Sequence, residues 1–270
     1  MMNIRAIFRL MRPENCLMAS VAVAIGFIVA GGLEVGLGLV LALVSAFVIT
    51  GAGNTINDFY DARIDKENAP DRPIPSGEVT EGFAFYMAMS LFFLGILSAF
   101  FINPGCLILA WFNSSLLFVY ARDLKGTVLA GNITVSYLTA STFVYGGLVL
   151  VNPLITVFLF LLAFLVNVGR EIVGDIEDVP GDKKEGLVTL PIRIGEKKSW
   201  IIAAVFVLVA VALSPAPYLL NLMGPYYLVV VLVADLMFIA SLAGCKPRLN
   251  QKLTKVGIAI GLVSFLAGLI

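Results

Sequence analysis

The sequence contains no histidine and few charged residues, and both shortages restrict what the protein can be. Only 13% of its 270 residues are charged and 60% are hydrophobic, so polar side chains are too few to cover a water-soluble domain of this size. Without histidine, the side chain that most often transfers protons and binds transition metals is missing. Any chemistry must therefore rest on carboxylate, amide, lysine, arginine and tyrosine side chains.

Cysteine is also scarce, and its placement argues against covalent or metal cross-links. The three cysteines, Cys16, Cys106 and Cys245, lie in or at the ends of apolar runs, without the spacing of a zinc site or a disulfide framework.

The N-terminal region has no short apolar stretch that ends in a small-residue cleavage site. We therefore expect the first apolar run to be retained as a helix.

Long apolar runs are what the sequence has in abundance. Nine nearly charge-free runs cover residues 16–32, 36–56, 83–102, 105–120, 127–151, 153–168, 199–217, 218–244 and 253–270. Each approaches or exceeds the ~20 residues with which a helix spans a bilayer. Barrel strands would instead alternate apolar and polar residues over roughly 10 positions. The sequence therefore predicts an all-α membrane protein, a bundle of nine transmembrane helices.

The 18 lysine and arginine residues predict how this bundle is oriented in the cell membrane. They precede the first run, follow the second and fourth, lie around the connection from the sixth to the seventh, and precede the ninth. The alternate connections contain none. Since lysine and arginine accumulate on the cytoplasmic side, we expect a cytoplasmic N-terminus and a C-terminus on the opposite side. The two long connections, 58–82 and 174–198, then both face the cytoplasm.

The second and sixth runs lead into two aspartate-rich motifs, at residues 54–65 and 171–182. Both contain Asp-x-x-Asp-x-x-x-Asp, and the second lies 117 residues after the first. This offset, with the equal placement of the motifs, predicts an internal duplication of a four-helix unit. Positions i, i+3 and i+7 of a helix share one stripe, so we expect each trio of carboxylates to converge. Pro180 and Gly181 predict a break, before Asp182, in the helix that carries the second motif.

Carboxylates crowded together near lipid need a cation to remain ionised. Oxygen ligands without histidine or cysteine favour Mg²⁺, which proteins commonly hold with one or two carboxylates and the oxygens of a substrate phosphate. The sequence therefore predicts at least two metal ions, with these ligands: Asp58, Asp61, Asp65, Asp175, Asp178 and Asp182. The alternative is that the acids are solvated or form salt bridges with the adjacent cations Arg63, Lys66, Lys183 and Lys184.

Basic residues near the motifs are candidates for binding phosphate. Arg72 lies in a stiff, proline-rich loop, and its planar guanidinium suits a bidentate phosphate contact. Lys125, between the fourth and fifth runs, and Arg12, before the first, are further candidates. All three also fit a role as topology charges, so both interpretations remain open. Asp235, within the eighth run, is either functional or a hydrogen-bonding residue between helices.

With these motifs the chain resembles the UbiA superfamily of intramembrane prenyltransferases. The residues that carry the resemblance are Asn57, Asp58, Asp61, Asp65, Asn68 and Arg72 around the first motif, Asp175, Asp178, Gly181 and Asp182 in the second, and the stretch 120–125. The resemblance covers essentially the full chain. It implies a single prenyltransferase domain over residues 1–270 and a central cavity that opens to the cytoplasm.

The resemblance also implies ligands and residue roles. The cofactor would be Mg²⁺, the partners prenyl diphosphate, a lipidic acceptor and membrane lipid, with no nucleic acid. The implied diphosphate-binding residues are Asn54, Asn57, Arg72, Lys125, Arg12 and Arg122, and the implied catalytic residues are Asp61, Asp175 and Asp178. Four aromatic residues are candidates for lining the site of an allylic cation, although aromatic residues of membrane helices mostly serve packing: Phe59, Tyr60, Tyr137 and Tyr145.

The acceptor and the class of protein each have an alternative. The Arg-Pro-Ile-Pro-Ser-Gly run looks most like the branch that prenylates geranylgeranylglyceryl phosphate in archaeal ether-lipid synthesis. Branches with aromatic acceptors, of the quinone, tocopherol and chlorophyll type, share parts of this run. A cation-coupled transporter would also use membrane carboxylates, although here the acids lie at the ends of the runs. A phosphatidyl-transferring enzyme would carry an Asp-Gly-x-x-Ala-Arg pattern, which the sequence lacks.

Overall fold

The structure, a computed structural model, describes residues 4–184 and 186–270, and these residues form helices and turns without a strand among them. The α-helices are α1 (Ile4–Met11), α2 (Pro13–Val29), α3 (Leu37–Asn68), α4 (Glu81–Phe100), α5 (Pro104–Val119), α6 (Ala130–Val149), α7 (Leu154–Lys184), α8 (Leu190–Ile194), α9 (Glu196–Leu213), α10 (Ala216–Leu219), α11 (Pro225–Leu242) and α12 (Pro247–Ala267). A π-helical turn, Tyr120–Leu124, follows α5, and a 3₁₀ turn, Ala243–Cys245, follows α11. The predicted all-α class is confirmed for this part of the chain.

Six helical segments of the described chain are long and apolar enough to cross a membrane. They are α3, α4, α5 with the π-helical turn, α7, α9 with α10, and α11 with the 3₁₀ turn. α1 and α2 add a seventh if this pair, bent by 48°, counts as one span. α6 and α12 also fall on predicted runs but are more polar, because α6 contains serine, threonine and asparagine and α12 begins with basic residues. The count of nine spans therefore stays a prediction.

Large apolar side chains cover the outward faces of these helices. Phe93, Trp111, Ile201, Val229 and Leu236 are each at least 60% exposed. Exposed apolar surface on this scale is stable against lipid but not against water. With the spanning helices, this surface identifies a multi-pass membrane protein.

Glycine determines how closely α2 and α6 pack against each other. A Cβ atom added to Gly26 would lie 2.1 Å from the carbonyl oxygen of Phe143. A Cβ atom added to Gly146 would lie 2.1 Å from the carbonyl oxygen of Val23. Small residues at such contacts stabilise helix pairs in lipid, where the hydrophobic effect between helices is lost.

α3 and α7 flank this pair, since α3 packs against α2 and α7 packs against α6. They have 32 and 31 residues, which is longer than the ~20 that a bilayer requires. The extra turns at their C-terminal ends carry the two aspartate motifs.

Candidate active site

The first aspartate motif occupies the last turns of α3, with its carboxylates facing the protein interior. Asp58, Asp61 and Asp65 are 3%, 9% and 6% exposed, as their spacing on one stripe of the helix predicts. Arg63 and Lys66, the adjacent cations considered as salt-bridge partners, lie on the exposed side of α3. The counter-charges for this stripe therefore come from elsewhere in the chain.

Two arginines neutralise the first and third aspartates of the stripe. Arg12 lies at the bend between α1 and α2, and its Nη2 is 2.5 Å from Oδ1 of Asp58. Arg72, in the loop after α3, places Nη1 at 2.6 Å from Oδ2 of Asp65 and 3.7 Å from Oδ1 of Asp58. Burial acts to lower the pKa of Arg72, but the hydrogen bond and charge of Asp65 outweigh it and raise this pKa. The guanidinium therefore stays charged.

Lys125 neutralises the remaining aspartate by donating a hydrogen bond from Nζ to Oδ2 of Asp61. It follows the π-helical turn, and its backbone N–H donates to the carbonyl oxygen of Tyr120 at 3.0 Å. Such turns widen a helix locally and are frequent at functional sites. The next residue, Gly126, has a φ of 73°, a conformation that glycine adopts readily. The turn therefore directs Lys125 toward α3.

Arg122, the other basic residue of this connection, makes different contacts. Its Nη2 lies 2.7 Å from Oδ2 of the adjacent Asp123, and its guanidinium carbon is 5.9 Å from the ring centroid of Phe118. The side chain is 54% exposed. The structure thus joins Arg12, Arg72 and Lys125 to the first motif, and it pairs Arg122 outside that motif.

The second motif occupies the last turns of α7, which continues as a helix through Asp182. The predicted break at Pro180 and Gly181 was wrong. A proline removes one backbone hydrogen bond and bends a helix, and this helix has only one further turn to complete. Asp178 is exposed, whereas Asp175 and Asp182 are half-buried. The second motif is therefore more open to solvent than the first.

Uncharged donors hold two carboxylates of the second motif. Nδ2 of Asn132, near the start of α6, donates to Oδ2 of Asp175 at 2.9 Å. The hydroxyl of Thr189 donates to Oδ2 of Asp182 at 3.1 Å. Asn132 was not among the predicted site residues, although it follows Asn15, which directly precedes the first apolar run, by the same 117 residues that separate the motifs. That repeat offset is the signal that identifies it.

Asp58 and Asp65 of the first motif lie close together, since Nη1 of Arg72 contacts both carboxylates. Within residues 4–184 and 186–270, no group of three or more acidic or cysteine side chains is arranged to hold a metal ion. The convergence of each trio on a bound metal ion therefore stays a prediction. Like charges repel, and each carboxylate of the first motif instead meets a basic side chain.

Two asparagines of the first motif face the protein interior beside the aspartates. Nδ2 of Asn54 donates to the carbonyl oxygen of Met11 at 2.8 Å. Oδ1 of Asn57 is buried and has no hydrogen-bond partner among the described residues. An unsatisfied buried acceptor is unfavourable, so this oxygen is available to a cation or to a donor on a ligand. Amide and carboxylate oxygens together form a donor set that suits Mg²⁺.

A cavity of about 940 Å³ lies between the helices that carry the motifs. Its walls come mainly from apolar residues of α2, α3, α6, α7, α11 and α12. Asn54 and Asn57 of the first motif line it, as does Arg170, which immediately precedes the second motif. The cavity is therefore apolar along most of its walls and polar near the motifs.

Tyr145 and Asp235 line the cavity farther from the motifs. The hydroxyl of Tyr145 donates to Oγ of Ser45 at 2.9 Å. Oδ2 of Asp235 accepts a hydrogen bond of 2.6 Å from the hydroxyl of Ser214, which links α11 to the end of α9. This bond supports the structural interpretation of Asp235, a side chain that forms a hydrogen bond between helices.

The other aromatic candidates do not line the cavity among the described residues. Phe59 and Tyr60 pack edge to face, with ring centroids 5.1 Å apart. Tyr137 packs between Phe112 and Phe160, at centroid distances of 5.7 and 5.8 Å. These ring contacts fit the packing role of Phe59, Tyr60 and Tyr137, and a role at the cation site stays a prediction. Aromatic rings attract one another in edge-to-face pairs wherever helices pack, so the sequence does not separate packing rings from rings that line a site.

Comparison with known proteins identifies a family and near relatives. The model described as the UbiA prenyltransferase family matches residues 17–265. A curated relative from Methanosarcina mazei, named digeranylgeranylglyceryl phosphate synthase, is 44% identical over 289 residues, which cover 98% of this chain and 99% of the relative. A relative of the same name from Methanopyrus kandleri is 45% identical over 271 residues, which cover 98% of this chain and 100% of the relative.

Solved structures agree with this comparison. A structure from work on digeranylgeranylglyceryl phosphate synthase in membranes is 37% identical, with a TM-score of 0.90 and coverage of 98% of both chains. A UbiA homolog from Archaeoglobus fulgidus, bound to DMAPP and Mg²⁺, shares the fold at a TM-score of 0.72 with 20% identity. That match covers 96% of this chain and 99% of the homolog.

Proposed function

Because the chain belongs to the UbiA prenyltransferase family, we propose that it transfers a geranylgeranyl group from the diphosphate to a glycerophosphate lipid. The chain is a membrane prenyltransferase. The name of its relatives specifies two geranylgeranyl groups on a glyceryl phosphate. The acceptor would accordingly be geranylgeranylglyceryl phosphate, which already carries one of them.

One observation carries this proposal: cations from three separate elements meet the carboxylates of α3 beside an apolar cavity. Arg12, Arg72 and Lys125 supply the N–H donors that a diphosphate requires. Asn54 and Asn57 line the cavity one turn before the aspartates. We assign these five residues to the diphosphate of the prenyl donor. The apolar walls beyond them suit its hydrocarbon tail.

The same end of the cavity fits divalent metal. The six motif aspartates would hold Mg²⁺, and the unpartnered oxygen of Asn57 adds a further oxygen donor. Mg²⁺, when bound, neutralises diphosphate charge and makes this group easier to displace. The homolog from Archaeoglobus fulgidus, bound to DMAPP and Mg²⁺, supports this assignment through its shared fold.

The transfer breaks one bond and forms another. The bond between the first prenyl carbon and the diphosphate oxygen breaks, and the electron pair leaves with the diphosphate held by Arg12, Arg72 and Lys125. The apolar cavity excludes water from the allylic cation that remains. A glycerol hydroxyl oxygen then bonds to the prenyl carbon. Its proton passes to the diphosphate or to a carboxylate of the second motif, Asp175 or Asp178.

The architecture proposed with this function has nine spans in one domain over residues 1–270. Long helices on all nine predicted runs support the count. The bounds of the helices support a duplication, because α2 and α6 begin at Pro13 and Ala130, and α3 and α7 begin at Leu37 and Leu154. Both pairs are offset by 117 residues, as are the motifs. We place the N-terminus and both motifs on the cytoplasmic side.

A prenyl-transfer assay with purified protein tests the proposed function. The chain in detergent, given labelled geranylgeranyl diphosphate, Mg²⁺ and geranylgeranylglyceryl phosphate, should form the doubly prenylated ether. Asp61→Ala and Asp178→Ala should each lower the rate by about 100-fold or more, because each removes a carboxylate charge from the end of the cavity where the diphosphate is displaced. EDTA should abolish product formation.

The matched control is Glu67→Ala, which removes an exposed carboxylate from the same helix as Asp61. It should keep the rate of the unaltered chain. Absence of product with every lipid or aromatic acceptor would refute the proposed function. Unchanged rates in both aspartate variants would refute the assignment of the motifs.

A further inference from the structure

Arg170 and Lys255 line the cavity but have no role in binding the diphosphate as assigned above. One guanidinium nitrogen of Arg170, Nη2, lies 2.7 Å from Oε1 of Glu171. Its Nε is buried and has no hydrogen-bond partner among the described residues. A buried, charged N–H donor without an acceptor is unfavourable, so this group is available to an anionic or carbonyl oxygen of a ligand.

The packing of α12 on α7 brings Lys255 to the same wall of the cavity. Nε2 of Gln251 donates a hydrogen bond of 2.9 Å to the carbonyl oxygen of Arg170, which fixes α12 against α7 at this level. Lys255 follows Gln251 by one turn on the same face, about 6 Å along the helix axis. Its ammonium group has no ion-pair partner in the described part of the chain. Asn167, one turn before Arg170, also lines this wall.

We infer that Arg170 and Lys255 bind the phosphate group of the acceptor, an inference that rests on the proposed function. A phosphate monoester carries up to two negative charges, which a guanidinium and an ammonium together balance. The acceptor tail would extend from this wall along the apolar part of the cavity. The pair is a specificity site for a phosphorylated lipid.

This assignment separates two anionic substrates that would otherwise repel each other. Arg12, Arg72 and Lys125 meet the carboxylates of α3, whereas Arg170 and Lys255 lie on the wall formed by α7 and α12. Each anion therefore has its own cations. An uncharged acceptor makes no use of the second pair, and a single carboxylate balances only one of its two charges. The separation thus favours a glycerophosphate acceptor.

Steady-state kinetics of Arg170→Gln and Lys255→Gln test the inference. Loss of one charged contact should raise the KM for geranylgeranylglyceryl phosphate by about 10- to 100-fold. The KM for geranylgeranyl diphosphate should stay within about twofold, because its cations are untouched. Unphosphorylated geranylgeranylglycerol should react poorly with the unaltered chain, and the variants should lose the preference for the phosphorylated acceptor.

Lys252→Gln is the matched control, since Lys252 is an exposed lysine of α12 and is absent from the cavity walls described. Its kinetics should equal those of the unaltered chain. Arg170→Lys should restore part of the acceptor affinity. Lys255 is exposed, so its variant tests the inference even if Arg170→Gln does not fold.

Direct binding of geranylgeranylglyceryl phosphate, without prenyl diphosphate, separates this inference from the proposed function. The dissociation constant should rise in both variants by the same factor as the KM. Binding that is unchanged in the variants, or a KM increase for the diphosphate instead, would overturn the inference. If the unaltered chain forms no product but binds the acceptor through this pair, the proposed function fails and the phosphate site stands.

Discussion

Three aspartates on one stripe of α3 meet cations that come from other parts of the chain. The motif spacing predicted the stripe, and the residue types predicted Arg12, Arg72 and Lys125 as members of the site. Which cation meets which carboxylate was not predictable, because Arg12 and Lys125 lie 46 and 64 residues from their partners in sequence. Only the packing of α1, α2 and the π-helical turn against α3 determines those pairs.

Lys125 provides a test at this scale. Lys125→Gln keeps a polar side chain but removes the charge that faces Asp61. We expect the KM for prenyl diphosphate to rise by about tenfold or more, because a charged contact to phosphate is lost. Initial rates over a range of prenyl diphosphate concentrations measure this change.

Lys66→Gln serves as the comparison for Lys125→Gln, since it removes an exposed lysine from α3 close to the same aspartates. Its KM should equal that of the unaltered chain. Equal effects of the two substitutions would mean that Lys125 contributes only general positive charge, against the direct role assigned here.

Asn132 provides a second residue-scale test, because it orients Asp175 without being a proposed metal ligand. Residues that orient a metal ligand typically contribute 10–100-fold to metal affinity or activity. Asn132→Ala should therefore raise the Mg²⁺ concentration needed for half-maximal rate by about tenfold or more. Asn152→Ala removes a hydrogen bond to Ala30 at a distant turn and should leave the Mg²⁺ requirement unchanged. An equal rise of the Mg²⁺ requirement in both variants would mean that lost stability causes it, and not the loss of the bond that orients Asp175.

At the scale of elements, the apolar runs predicted where helices lie better than how they end. α7 continues through Pro180, although proline and glycine together predicted a break. The cost of a proline is local, and the packing of α7 against α6 and α9 stabilises the whole helix. The π-helical turn after α5 was likewise not predictable, since no residue type specifies it.

The contact between α2 and α6 gives a test of an element. Gly26→Ala places a methyl group against the backbone of Phe143, which cannot rotate away as a side chain can. We expect the free energy of unfolding to fall by about 1–3 kcal/mol, the usual cost of overpacking. Thermal unfolding in detergent measures it. Gly82→Ala, with no atom within 4 Å of the added methyl, should not lower the midpoint. Equal midpoints for both variants would contradict the close packing.

At the scale of the molecule, composition predicted a helical membrane protein and the basic residues predicted its orientation. The cavity was not predictable in size or lining from composition or spacing, because its walls combine residues of six or more helices whose arrangement the sequence does not state. Arg170 and Lys255 show this limit most clearly. The sequence predicted both residues only as topology charges. The fold places both on one wall of the cavity.

The cysteines allow a test of the proposed orientation. Cys245 is exposed next to α12, whereas Cys16 and Cys106 are buried. A membrane-impermeant maleimide should label Cys245 in inside-out vesicles and not in right-side-out vesicles. Cys245→Ser should abolish labelling. Adding Leu33→Cys in that background, at a residue that is 92% exposed, should restore labelling from the other side. Labelling of Cys245 in right-side-out vesicles would mean that the topology is the reverse of the proposed one.

Acceptor choice by the purified chain measures the proposed reaction most directly. Labelled geranylgeranyl diphosphate and Mg²⁺ would be supplied with equal amounts of geranylgeranylglyceryl phosphate and a hydroxybenzoate, and the products identified by mass. We predict the ether of the glycerophosphate, with one diphosphate released for each ether formed. A prenylated aromatic ring as the main product, or diphosphate release without any prenylated acceptor, would contradict the function proposed for this protein.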